Sequence, residues 1–147
     1  MTKQETRAAA LADLAALTIK MTGGKVHLFK DDGFIPDETT TLAVLNTHEA
    51  DYTGYVAGGV ALAGPLGPYQ DGVNKYSENF PTVGFIPTAP VLVSNDIKGV
   101  YFEDNAAGLQ EYWIFDDPVT LATALDHIFV DPKFSYGNAP TNEPDVH

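Results

Sequence analysis

The chain has 147 residues, no cysteine, and a formal net charge of −12 from 20 acidic against 8 basic side chains. That length suits one domain with a sizeable core, and the absence of cysteine rules out disulfides, thiolate metal sites and a cysteine nucleophile. Arg7 is the only arginine and the field is negative, which opposes phosphate backbones. No apolar run reaches the roughly 18–20 residues that cross a bilayer, and the N-terminus lacks a signal-peptide pattern. Neither nucleic acid nor membrane is therefore expected as a partner.

Residues 2–21 read as a helix. Six alanines between Ala8 and Ala16 favour it, and Ala10, Leu14, Leu17 and Met21 fall on one stripe at spacings of four and three. Thr2 with Glu5 resembles a capping box, and Gly23-Gly24 ends the run. A narrow, alanine-rich helix is marginal alone in water, so it is read as an arm that docks on a neighbouring subunit, with packing on its own domain as the alternative. After the double glycine the period changes to two. Val26 and Leu28 face one way, His27 and Phe29 the other, up to the turn at Asp31-Asp32-Gly33. Asp37 is expected to cap a short turn carrying Leu42 and Leu45. Residues 55–63 alternate weakly, and Gly58-Gly59 suggests a bulge or a close backbone approach.

Residues 64–72, with two prolines and three glycines, form the clearest long loop. Its Pro65, Leu66, Pro68 and Tyr69 are candidate contact residues. Strands are expected at 75–80, 82–87, 91–93, 99–103, 109–115 and 127–130. The hairpin from Gly99 to Phe115 is the firmest of these, with Gly108 assigned the positive-φ position of its turn. Asp117-Pro118 should stop the second strand, and residues 119–125 should make a helical turn. The polar, proline-broken tail is read as disordered or laid over a neighbour. The resulting fold class is mainly β: an antiparallel β-sandwich, jelly-roll or immunoglobulin-like, with an N-terminal α-helical arm. The boundaries are 1–22 for the arm, 23–136 for the sandwich and 137–147 for a flexible tail.

Catalytic patterns are absent from the sequence. His27, His48, His127 and His147 have no paired metal spacing, and His27 and His127 read as ordinary sheet positions. Asp31-Asp32, Asp104-Asn105 and Asp116-Asp117 could hold calcium but fit turn residues better. Ser77, Ser94 and Ser135 lack a nucleophile elbow. No cofactor, catalytic residue or metal ligand is assigned. Among Tyr101, Phe102, Tyr112, Trp113 and Phe115, one face should pack in the core. The other could serve sugar stacking or a subunit contact.

Residues 25–30, 36–42 and 49–55, with the later runs Val83-Gly84-Phe85-Ile86-Pro87-Thr88, Gly99-Val100-Tyr101-Phe102, Phe115-Asp116-Asp117-Pro118-Val119 and Val130-Asp131-Pro132-Lys133-Phe134, resemble a family of small tailed-bacteriophage proteins. The likeness covers residues 25–136. It implies a virion component and supplies no active-site residues; the N-terminal helix and the Gly-Pro loop look like additions to the family pattern. The expectation is a capsid decoration, or cement, protein. It would bind the major capsid protein and copies of itself, as a trimer in the favoured case, through Ala10, Leu14, Leu17, Met21, Pro65, Leu66, Pro68 and Tyr69. The alternatives are a tail- or fibre-associated module for host-glycan contact or tail assembly, and a small hydrolase on a β scaffold.

Overall fold

The computed structural model describes residues 6–90, 96–137 and 143–147. The expected strand at 91–93, Ser94 and the Thr2–Glu5 capping box lie outside the described residues. The chain is mainly β, with antiparallel pairing throughout and one long helix at its N-terminal end. That helix, α1 (Arg7–Met21), is capped by Thr6, whose hydroxyl accepts from the Ala9 N–H at 3.2 Å. Its far end is closed by Gly24 N–H donating to Met21 O at 2.9 Å, with Gly23 at φ +80°.

The central sheet has the order β2 (Val60–Ala61), β1 (Lys25–Lys30), β6 (Asp96–Glu103) and β7 (Leu109–Thr120), where β3 to β5 belong to other sheets. As the alternation predicts, Val26 and Leu28 point to one face and His27 and Phe29 to the other. Both faces are covered, so all four are buried. On one side Phe29 and Tyr101 pack with Leu45 from the short helix α2 (Leu42–Thr47). Thr41 caps that helix by accepting from Val44 N–H at 3.3 Å. Asp37, expected in that role, instead accepts from Thr39 N–H at 2.8 Å in the preceding turn.

On the other side Val26, Leu28, Val100 and Phe102 join the main core with α1 and two smaller sheets. One holds β3 (Tyr69–Gln70), β4 (Lys75–Asn79) and β9 (Lys133–Gly137). The other holds β5 (Val83–Phe85), β8 (Ile128–Asp131) and β10 (Asp145–Val146). The Phe102 and Phe134 rings meet edge to face, 5.7 Å apart, across the sheets.

Two features of the β6–β7 hairpin differ from expectation. The turn's positive φ falls on Ala107 (φ 59°), not on Gly108. Gly108 is needed instead for space, since a Cβ there would sit 2.8 Å from Asp104 Oδ2. Asp104 Oδ1 closes the turn by accepting from Ala106 and Gly108 N–H, both at 2.9 Å. Asp117-Pro118 does not stop β7. The register jumps from Gly99↔Ile114 to Ile97↔Val119, so residues 115–118 bulge out and Pro118 owes the ladder no N–H. The strand thus reaches Thr120, and residues 122–126 form a turn in which Asp126 accepts from Ala122 and Thr123 N–H at 2.9 Å.

The arm packs within the chain itself, and of the expected tail, residues 138–142 lie outside the described residues. Ala10, Leu14, Leu17 and Met21 are buried in the chain's own core, where α1 packs against β4 and β9. The apolar stripe covers a sheet face that would otherwise be wet, roughly 1.5–3 kcal/mol for each of its large side chains, so no neighbour is required to satisfy it. The last residues of the tail are likewise tied down within the chain: Asp145 and Val146 pair with Asp131 and Val130.

Candidate functional site

Three surroundings concentrate chemistry. The first is a buried clamp on the α2 side of the central sheet. His27 and Tyr101 are direct cross-strand partners and their rings stack 4.4 Å apart at 8°. His27 Nδ1 lies 2.9 Å from Glu49 Oε1, and Nε2 lies 2.7 Å from Glu103 Oε2. Glu49 reaches it because the strip 48–50 runs along β1, with Ala50 N–H donating to Leu28 O and Lys30 N–H to His48 O, each at 2.9 Å. Glu49 Oε1 also accepts from the Tyr55 hydroxyl at 2.9 Å and from Gly58 N–H at 3.1 Å. Tyr55 in turn accepts from Leu28 N–H at 3.1 Å, and Tyr101 donates to Asn46 Oδ1 at 2.8 Å.

The phenols of Tyr55 and Tyr101 are held well above their ordinary range, chiefly by burial and further by the nearby Glu49 charge. Gly59 (φ +85°) abuts the imidazole, and a Cβ there would meet His27 Cε1 and Nδ1 at 2.8 Å, which is the close approach the double glycine suggests. His27 is 1% exposed and the two carboxylate side chains 14%. The ring is therefore walled in, and the arrangement is a lock joining the 48–59 segment to β1 and β6. From sequence alone His27 reads as an ordinary sheet position. Its partners lie 22 and 76 residues away, so no local spacing announces them.

The second is a cleft of about 380 Å³ where the Gly-Pro loop meets α1. It is lined by Leu11, Leu14, Ala15, Thr18, Ile19, Pro68 and Glu78. Of the expected contact residues, Leu14 and Pro68 line it. Leu14 faces inward, while Ile19 (70% exposed) and Leu66 (68%) stand out in solvent, and Pro65, Pro68 and Tyr69 are also exposed. The loop is held in place by Leu66 N–H donating to Asn79 O at 2.9 Å and Tyr69 Oη to Asn79 Oδ1 at 3.1 Å. Glu78, which the sequence reading did not single out, is 3% exposed. Burial raises its carboxyl above the usual range, although Gly67 and Asn79 N–H donate to it. Its Oε2 has no partner among the described residues.

The third surrounds the C-terminal strand. Asp131 and Asp145 are cross-strand neighbours, and with His147 they place their ligand atoms within 4.8 Å of one another. A carboxylate–carboxylate–imidazole set is a donor group suited to a first-row divalent cation. Thr82 Oγ1 donates a short hydrogen bond to Asp131 Oδ1. The acidic pairs considered from sequence behave as turn residues where the structure describes contacts. Asp32 Oδ1 accepts from Phe34 N–H at 3.2 Å, and Oδ2 lies 2.6 Å from His48 Nδ1. Burial pushes the Asp32 carboxyl up, but these hydrogen bonds outweigh it and hold it below its ordinary range. Ser77 and Ser135 are cross-strand partners, buried, with hydroxyl oxygens 2.6 Å apart.

No family model, curated protein or solved structure matches the chain. Among the described residues no helix is long and apolar enough to cross a membrane.

Proposed function

We propose that this chain is a non-catalytic module of a tailed-bacteriophage particle, a decoration protein that seats on the outer face of the head and bridges neighbouring capsid subunits. One observation carries the reading: exposed Ile19 lines an apolar cleft between α1 and Pro68 of the 64–69 loop, and Leu66 on that same loop is also exposed. A folded domain gains little by holding large apolar side chains in water around such a cleft, whereas an interface buries them. The partner surface is the major capsid protein, and the favoured assembly on it is a homotrimer. Contact is made by the outward residues Ile19, Pro65, Leu66, Pro68 and Tyr69, with the inner stripe of α1 serving the fold. The scaffold is read as a β-sandwich of jelly-roll or immunoglobulin-like kind, supported by the Phe102–Phe134 packing between sheets. The hydrogen-bonded loop suits this role, because a pre-ordered surface loses less freedom on docking.

The test is co-sedimentation of purified protein with phage heads that lack it. The double variant I19D/L66D is expected to keep the parent's thermal midpoint and lose attachment by about tenfold or more, since a centrally placed apolar contact is typically worth over 1 kcal/mol. Attachment equal to the parent's retires the proposal.

A further inference from the structure

A second groove, sharing no residue with the first, runs between β7 and the C-terminal strand β10. It holds about 390 Å³, within the span of roughly 300–1,000 Å³ typical of ligand sites. Half-buried Trp113, Phe115, Val119 and Val146 and buried Pro144 supply its apolar part, and exposed Asp116, Glu143 and Asp145 complete the lining. No lysine or arginine lines it. Among the described residues neither Asp116 nor Glu143 is in an ion pair, and Asp145 has only the distant His147 Nδ1 at 4.0 Å. The Trp113 indole N–H already donates to Glu111 Oε1 at 3.2 Å, so that donor is engaged. The 115–118 bulge in the β6–β7 register frees Asp116, which lines the groove, from the ladder.

An aromatic face ringed by carboxylates attracts a cation. The ring quadrupole and the carboxylates act in the same direction, and a guanidinium can stack on indole while its N–H fork engages carboxylates. A neutral sugar would use the ring but has no need of three negative charges. An anionic ligand would be repelled by those charges and by the chain's net −12. We propose that this groove binds an arginine side chain presented by an extended basic segment of a partner protein, stacked on Trp113 and held by Asp116, Glu143 and Asp145. The proposal does not depend on head attachment through Ile19 and Leu66.

Trp113 is the only tryptophan, so intrinsic fluorescence of the full chain reports this groove directly. Titration with a short arginine-rich peptide at about 50 mM salt is expected to shift the emission saturably, and about 500 mM salt is expected to weaken binding strongly. The exposed triple variant D116N/E143Q/D145N should lose about tenfold or more in affinity. D31N/E38Q/D51N, which removes the same formal charge outside the groove, should bind as the parent does. The proposal is overturned by absence of a saturable shift, by equal loss in both triple variants, or by a neutral oligosaccharide that produces the shift with the same affinity. A chain that binds the peptide but fails to attach to heads retires the decoration reading and leaves this one standing.

Discussion

Two acidic sites in the molecule are built in contrasting ways. Around His27, three donors converge on Glu49 Oε1 while Glu103 takes the other ring nitrogen. Around Glu78, one carboxylate oxygen beside an apolar cleft has no partner among the described residues. A polar cluster whose hydrogen bonds are complete holds its surroundings in one geometry and strongly resists loss of any member. A carboxylate that is only partly satisfied is a local liability and becomes more so when ionised. The clamp side is therefore read as framework, and the cleft side as the surface where the chain has stability in hand to exchange for contact.

The contrast can be broken most forcefully at its centre. His27→Ala removes a buried ring together with its hydrogen bonds to Glu49 and Glu103, and urea denaturation should show a loss of about 3–5 kcal/mol. Leu14→Ala, on the cleft side, should cost about 2–4 kcal/mol by the same measurement, from lost burial and the cavity it leaves. Parental stability in that variant would mean that α1 does not seal this sheet. Gly59→Ala adds a Cβ against the His27 ring at φ +85° and should cost about 1–3 kcal/mol. Its crystal structure should show the ring or the 58–59 turn displaced, and an undisturbed clamp would contradict the close approach.

The mildest change sharpens the comparison by pH. Because burial raises the Glu78 carboxyl, the folded chain holds that proton more tightly than the unfolded one. Its contribution to stability is complete below the unfolded carboxyl value of about 4.3 and is lost as pH rises through the higher folded value. Glu78→Gln should therefore raise the thermal midpoint at pH 7–8, by an amount corresponding to about 1 kcal/mol, with the gain shrinking towards pH 4. A gain that is equal at both ends of the range would mean that Glu78 does not titrate across the transition.

Much of the local structure was legible in sequence because it rests on neighbouring residues. The stripe of α1, the two faces of β1, the turn that Asp104 closes and the demand for glycine at position 59 all follow from period and backbone sterics. The readings that failed required knowledge of distant partners. Whether an amphipathic stripe covers its own sheet or another chain's depends on where β4 and β9 lie, residues 75–79 and 133–137. Pro118 stops a strand only if its position must be paired, and the β6–β7 register shift removes that need.

By itself, then, the sequence determined an acidic, mainly β chain with one N-terminal helix and an exposed Gly-Pro loop, since composition, periodicity and turn chemistry act over a few residues. Only the tertiary structure decided that His27 is locked between two glutamates, that Glu78 carries an unsatisfied oxygen beneath the helix, and that a lone tryptophan shares a groove with carboxylates from both β7 and the chain's end. Charge and hydrogen bonding act through space, over a few ångströms, and what lies within that distance is set by how the sheets stack.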